Sequence, residues 1–243
     1  MIKYLFKKSV KTIFRACGLD VRQTWKFLPY AWLRNCNITT VLDVGANTGQ
    51  FALQIHALLP EAKIYSFEPL ADCYAALRKN MQGVANFESF NVALGNSNGK
   101  CSIYRNACSP SSSLLPMQNL HKQAFPQTAH AELEEIEICR LDDMAHALEL
   151  NDNVLIKIDV QGFEDKVILG GQKVIERAHV IIVETTFEPL YQGQVLFDGI
   201  YSMLNAKGFE IRGCEEPLRN PGDTRIMQCD SIFVRKADHE IRN

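Results

Sequence analysis

Short apolar runs bounded by turn residues recur along this chain, and stretches with helical apolar spacing separate them. Residues 40–44 read as a buried strand, after which Phe51, Ile55, Leu58 and Leu59 recur at helical intervals. Lys63–Phe67 predicts a second strand, Asp72–Met81 its helix, and Asn86–Leu94 a third strand. Beyond the turn Gly95–Gly99, Cys101–Tyr104 predicts a hairpin strand pairing back on the third. Glu134–Cys139 alternates like an edge strand, Leu141–Leu148 predicts a helix, and Val154–Asp159 and Val180–Glu184 predict buried strands. A helix over 195–206 should stop at Gly208, a good cap residue, before an antiparallel pair formed by Phe209–Arg212 and Ser231–Val234. Alternating strand and helix predicts one α/β sheet with helices on both faces.

Three segments depart from that alternation. Residues 2–17 place Lys3, Lys7, Lys11 and Arg15 on one side of a helix and Ile2, Leu5, Phe6, Val10 and Ile13 on the other. Such a helix either lies on an anionic membrane surface or packs its apolar face on its own domain or a dimer mate. A second helix is expected over Trp25–Arg34. Residues 106–130, rich in Ser, Pro, Gln and Asn, predict a long loop or lid. The expected organisation is an N-terminal helical extension over 1–37, one domain over 38–236 and a tail over 237–243.

Composition narrows the function classes. A net charge of −2 argues against a nucleic-acid binder. The eight cysteines include no C-x-x-C pair, so neither a disulfide framework nor a metal site is expected, and the protein should work in the reducing cytoplasm. No apolar run reaches the roughly 18 residues of a membrane span.

Ligands of open α/β sheets bind beyond the carboxyl ends of the strands, and four such ends carry suggestive groups. The first is the turn Asp43-Val44-Gly45-Ala46-Asn47-Thr48-Gly49, whose glycines lie four apart and so do not form the G-x-G-x-x-G of dinucleotide-binding folds. The second is Phe67-Glu68-Pro69, where Glu68 falls 23 residues after Gly45, the place of an acid that holds ribose hydroxyls. The third is Asn91-Val92-Ala93, small enough for an adenine ring to lie against the backbone. The fourth is Lys157–Glu164, in which a lysine inside an apolar strand needs a partner, with Asp159 and Glu164 the nearest acids in sequence.

These motifs, in this order, resemble the FkbM family of S-adenosylmethionine-dependent methyltransferases over about residues 38–235. The resemblance also rests on Ser111-Ser112-Ser113-Leu114, Leu141-Asp142-Asp143, Ile182-Val183-Glu184 and Asp230-Ser231-Ile232-Phe233-Val234. Gln161 departs from it, because the family usually has Glu there. The resemblance implies a Rossmann-like class I methyltransferase fold: a mostly parallel seven-stranded sheet, helices on both faces and an antiparallel C-terminal strand. It implies S-adenosyl-L-methionine as cofactor, held by Asp43, Gly45, Ala46, Asn47, Gly49, Glu68, Pro69, Asn91, Val92 and Ala93. It further implies O-methylation of a sugar, glycolipid, polysaccharide or secondary metabolite. An alcohol must lose its proton during transfer, which makes Asp159 the first choice for a base, with Glu164 beside it. Ser112, Ser113 and Glu184 are the candidate acceptor contacts, and no metal is expected. Two other readings stay open: a nicotinamide-dependent oxidoreductase, and a non-catalytic binding domain on the same fold.

Overall fold

The computed structural model describes residues 29–236. The chain divides into a unit ending at Trp32 and a unit from Leu33 onward, and only residues 29–32 of the first are described. The basic helix expected over 2–17 and the tail 237–243 lie outside the described residues. So do the first four residues of the helix expected over Trp25–Arg34. Its described end is a turn with Tyr30 at φ +61°, followed by a 3-10 helix at Ala31–Asn35, so no α-helix reaches Arg34.

The main sheet has seven strands in the order β3-β2-β1-β7-β8-β10-β9. These are β1 (Thr40–Val44), β2 (Lys63–Phe67), β3 (Phe87–Phe90), β7 (Val154–Ile158), β8 (Ala178–Thr186), β9 (Phe209–Arg219) and β10 (Ile226–Arg235). The pairs from β3 through β8 are parallel, and β10 runs antiparallel to both β8 and β9. Every residue of β1 and of β7 is buried, as suits parallel strands covered on both faces. Leu42, Val44, Phe67, Ile156, Ile158, Ile181 and Val183 pack with residues of α4 (Glu164–Gly170), α5 (Gln172–Glu176) and α6 (Phe197–Ala206). The helices α1 (Gln50–Leu58) and α2 (Ala71–Asn80) bury Ile55 and Leu77, neither of which joins that cluster. The mostly parallel seven-stranded sheet with an antiparallel C-terminal strand is the arrangement expected from the sequence.

The strand expected over Asn86–Leu94 is two strands. It breaks at Asn91-Val92, and β4 (Ala93–Gly95) joins a second, three-stranded sheet of order β4-β6-β5. Accordingly β5 (Gly99–Asn106) does not hairpin back on its predecessor. It pairs antiparallel with β6 (Ala131–Arg140), from Gly99 opposite Ile138 to Asn106 opposite Ala131. Nor is β6 an edge strand, since it is central in the small sheet, with Ile136 and Ile138 buried against Leu70, Cys73, Ala93 and Ile103.

Residues 106–130 are more structured than their composition suggests. They contain a 3-10 turn at Ser109–Ser111, the short helix α3 (Asn119–Ala124) and a further 3-10 turn at Pro126–Thr128. Leu115, Met117, Leu120, Ala124 and Phe125 pack on Leu190, Tyr191 and Met227. The segment therefore docks on the loop after β8 and on the start of β10 through a scattered apolar set that shows no simple period. Among the described residues no helix is long and apolar enough to cross a membrane.

Candidate active site

Chain order reverses between β1 and β7, which makes their carboxyl ends the switch point where such sheets bind ligands. After β1 the backbone turns through left-handed conformations at Gly45 (φ +83°), Asn47 (φ +48°) and Gly49 (φ +93°). The amides of Gly45 and Ala46 both donate to the Phe67 carbonyl at 3.0 Å. Glu68, 5 % exposed, accepts the Asn47 amide on Oε2 (2.8 Å) and the Leu70 amide on Oε1 (2.9 Å). One carboxylate thus pins the glycine loop to the next strand. A Cβ on Gly45 would sit 1.9 Å from the Asp159 carbonyl oxygen, so this glycine lets the ends of β1 and β7 touch.

A polar row crosses the sheet at the next pair of strands. Asp43 lies opposite Ser66 on one side and Lys157 on the other, and Ser66 Oγ donates to Asp43 at 3.1 Å. Lys157, also buried, reaches Asp230 on β10 at 2.6 Å and Asp159 at 3.6 Å. Its partner is therefore Asp230, remote in sequence, together with Asp159; no ion pair to Glu164 forms. Gln161, at φ +56°, donates through Nε2 to both Asp159 Oδ1 (2.8 Å) and Glu184 Oε2 (2.7 Å). The other Glu184 oxygen accepts from Gln228 at 2.6 Å, and the Tyr191 hydroxyl donates to Gln161 Oε1 at 2.9 Å. A single amide holds two carboxylates apart.

Several expected site residues prove to be supports. Asn91 donates to the carbonyls of Glu68 and Pro69, both at 2.9 Å, and so braces the acid-bearing turn from behind. Val92 is half-buried against the main core and Ala93 is buried in the small-sheet core. Glu164 is buried, and its Oε1 accepts the amides of Val160 and Gly162, fastening the loop that carries Asp159 and Gln161. Ser112 Oγ accepts the Asn106 amide. Ser113 Oγ donates to the Gln161 carbonyl at 2.6 Å and accepts from the Leu115 amide. Both serine hydroxyls thus bond backbone, and Ser113 ties segment 106–130 to the loop after β7. Asp159, its side chain 35 % exposed, is the acid the network leaves open. Tyr191 and Gln228 belong to the site although nothing local in the sequence marks them, whereas Lys157, Gln161 and Asp230 fall within the motifs quoted above.

The Methyltransferase FkbM domain matches residues 43–211. The chain belongs to the FkbM methyltransferase family. It is 28 % identical over 172 residues to the 2-O-methyltransferase NoeI of Sinorhizobium fredii, covering 68 % of this chain and 70 % of that one. It is 26 % identical to the methyltransferase sdnD of Sordaria araneosa, over 82 % of each chain. A crystal structure of an FkbM methyltransferase from Methylobacillus flagellatus KT superposes with a TM-score of 0.48 at 11 % identity, over 81 % of this chain and 43 % of that one.

Burial sets the electrostatics of this methyltransferase. It raises Asp43 and Glu68 to about 7, against the hydrogen bonds that each accepts. Burial likewise lifts Glu164 to about 7, and the charge on Asp159 adds to that. Glu184 lies well above the carboxylate range, first through burial and then through Asp159 and Glu164. For Lys157 burial acts downward, but Asp159, Asp230 and Glu184 more than reverse it, so the ammonium stays charged.

Proposed function

We propose that this enzyme transfers the methyl group of S-adenosyl-L-methionine to a hydroxyl of a sugar, glycolipid, polysaccharide or secondary metabolite. The observation that carries the reading is Asp159: a part-exposed carboxylate at the switch point, in contact through its backbone with the glycine loop and bridged by Gln161 to Glu184. The residues around the loop fit the cofactor. Glu68 spends one lone pair of each oxygen on a backbone amide, and a carboxylate offers about four acceptor positions, so two are left for ribose hydroxyls. Bound there, S-adenosylmethionine supplies an electrophilic methyl group on a positive sulfur. Asp159 then takes the proton of the acceptor hydroxyl. Gln161, held by Tyr191, fixes the rotamer of Asp159 through Oδ1, and Lys157 stands 3.6 Å from the other oxygen. Positioning acceptor and donor in line supplies the rest of the rate enhancement.

The printed name of NoeI, a 2-O-methyltransferase, supports oxygen as the atom methylated. Membership of a methyltransferase family speaks against the oxidoreductase alternative. Calorimetric titration with S-adenosylhomocysteine, followed by transfer of labelled methyl to a panel of hydroxylated acceptors, tests the reading. Binding in the micromolar range and an alkali-stable methyl ether in the product support it; no binding, or methyl found only on nitrogen, overturns it. We also place the enzyme in the cytoplasm. Contact of residues 2–17 with the inner membrane face rests on their charge pattern, and co-sedimentation with anionic vesicles tests it.

A further inference from the structure

A cleft of about 240 Å3 lies between the small sheet and segment 106–130. It sits just below the usual range of roughly 300–1,000 Å3 for ligand sites and has room for a single ring. Two of its wall residues, Tyr191 and Ser113, are also the residues that hold Gln161, by 2.9 Å and 2.6 Å hydrogen bonds. The cleft is therefore one side chain away from Asp159. The remaining walls include the half-buried Tyr104, the amide of Gln192, the apolar Leu115 and Met117, and the buried Asn106 and Thr128, whose side chains are fixed on backbone carbonyls. Aromatic and apolar surface beside fixed amides suits a ring that has hydroxyls at its edge and C–H groups on its face.

Charge sharpens the assignment. No Asp or Glu lines the cleft, and its one ionised group is Lys122, half-buried and without a carboxylate partner among the described residues. The opposite side of Tyr191 carries Asp159 and Glu184. The cleft thus carries a basic group while the far side of Gln161 carries acids, and an anionic group is drawn to Lys122 and repelled from the other side.

We propose that this cleft is the acceptor subsite, and that it takes a sugar ring bearing an oxyanion, either a uronate carboxylate or a phosphate. Lys122 binds the oxyanion, and a ring hydroxyl is thereby turned past Tyr191 toward Asp159. The proposal rests on the O-methyltransferase reading above and gives it a substrate class.

The test uses the full chain, saturated with S-adenosylhomocysteine, on an array of neutral, uronate-bearing and phosphorylated glycans. Binding should be confined to the anionic members, and the uronate and phosphate arms distinguish the two sources of charge. Lys122→Gln should lower it about ten- to a hundredfold, the usual effect of losing a charge-assisted hydrogen bond, and Lys122→Arg should retain it. Inorganic phosphate should compete with wild-type binding, a readout that needs no variant. Binding to neutral glycans alone, to none, or equally by wild type and Lys122→Gln overturns the proposal, as does failure of phosphate to compete. Calorimetry with S-adenosylhomocysteine separates the two levels. If wild type does not bind it, the methyltransferase reading fails first. If it binds with the same affinity to wild type and Lys122→Gln while the array is blind to charge, only the cleft assignment falls.

Discussion

At the ends of β1 and β2 the site is held by backbone: amides of Gly45, Ala46, Asn47 and Leu70 converge on the Phe67 carbonyl and on one carboxylate, Glu68. At the ends of β7 and β8 it is held by side chains, with Asp159, Glu184, Lys157 and Asp230 linked through the amide of Gln161 or by direct ion pairs. The first arrangement is rigid because φ/ψ fixes it, and it suits an invariant ligand such as a cofactor. The second depends on protonation and on rotamers, and it suits proton transfer. Substitutions on the two sides should accordingly separate, the first acting on cofactor affinity and the second on turnover.

The largest separation is expected from Asp159→Asn. The amide keeps the shape and can still accept from Gln161, but it has no basicity. Methyl transfer should fall about 10²–10⁴-fold, with S-adenosylhomocysteine affinity and the urea midpoint little changed. A folded variant with near-native turnover would take the base role from Asp159.

Next in size is Lys157→Met, which takes from the buried Asp230 carboxylate its 2.6 Å ion pair. Removing one partner of a buried pair typically costs about 3–5 kcal/mol of stability. Denaturant titration should show that loss, and the double change Lys157→Met with Asp230→Leu should recover part of it. A single variant as stable as wild type would mean that Asp230 does not depend on the Lys157 ammonium.

Titration offers a comparable effect. Glu164 ionises near 7 in the fold, raised from 4.5. Between those values the folded chain holds more protons than the unfolded one, so stability falls as pH rises through the window and is flat above it. Glu68 and Asp43, also raised to about 7, act in the same direction. Glu164→Gln keeps an oxygen for the Val160 and Gly162 amides but cannot ionise, so it should remove up to about 3 kcal/mol of the decline between pH about 4.5 and 7. Equal pH slopes for wild type and variant would contradict the burial of this acid. On the backbone side, Glu68→Gln should weaken S-adenosylhomocysteine about tenfold by calorimetry, with a smaller loss in turnover at saturating cofactor. The reverse pattern would erase the distinction between the two walls.

The contrast also explains what could be read in the chain. The glycine turn and Glu68 are legible because backbone geometry demands particular residue types at fixed spacing, and β1 and β2 fall where their apolar runs do. Lys157 announced a buried charge, but its main partner lies 73 residues away on an antiparallel strand, a contact that no local pattern encodes. Asn91, Ser112 and Ser113 were polar residues near a predicted site, and sequence could not show that their hydrogen bonds go to backbone. The small sheet was hidden for a related reason: β5 and β6 meet across the whole of segment 106–130, and β4 follows β3 with only Asn91-Val92 between them.

The smallest predicted effect concerns the seam between segment 106–130 and the acidic side. Ser113 Oγ is the direct link, 2.6 Å from the Gln161 carbonyl, and beside it the Tyr191 hydroxyl approaches the Ser111 carbonyl at 3.3 Å. The apolar contacts of Leu115, Met117 and Leu120 with Leu190, Tyr191 and Met227 remain whatever happens at Ser113. Ser113→Ala should therefore loosen the segment locally, by about 1 kcal/mol, without undocking it. Hydrogen exchange should rise several-fold at residues 113–117, with no change at β1 or β7. Because Gln161 loses one of its anchors, turnover should fall a few-fold while S-adenosylhomocysteine affinity holds. If exchange rises over the whole of 106–130, the serine carries the docking alone and the segment acts as a lid hinged on it. If neither exchange nor turnover moves, the apolar contacts suffice and the two walls of the site are mechanically independent.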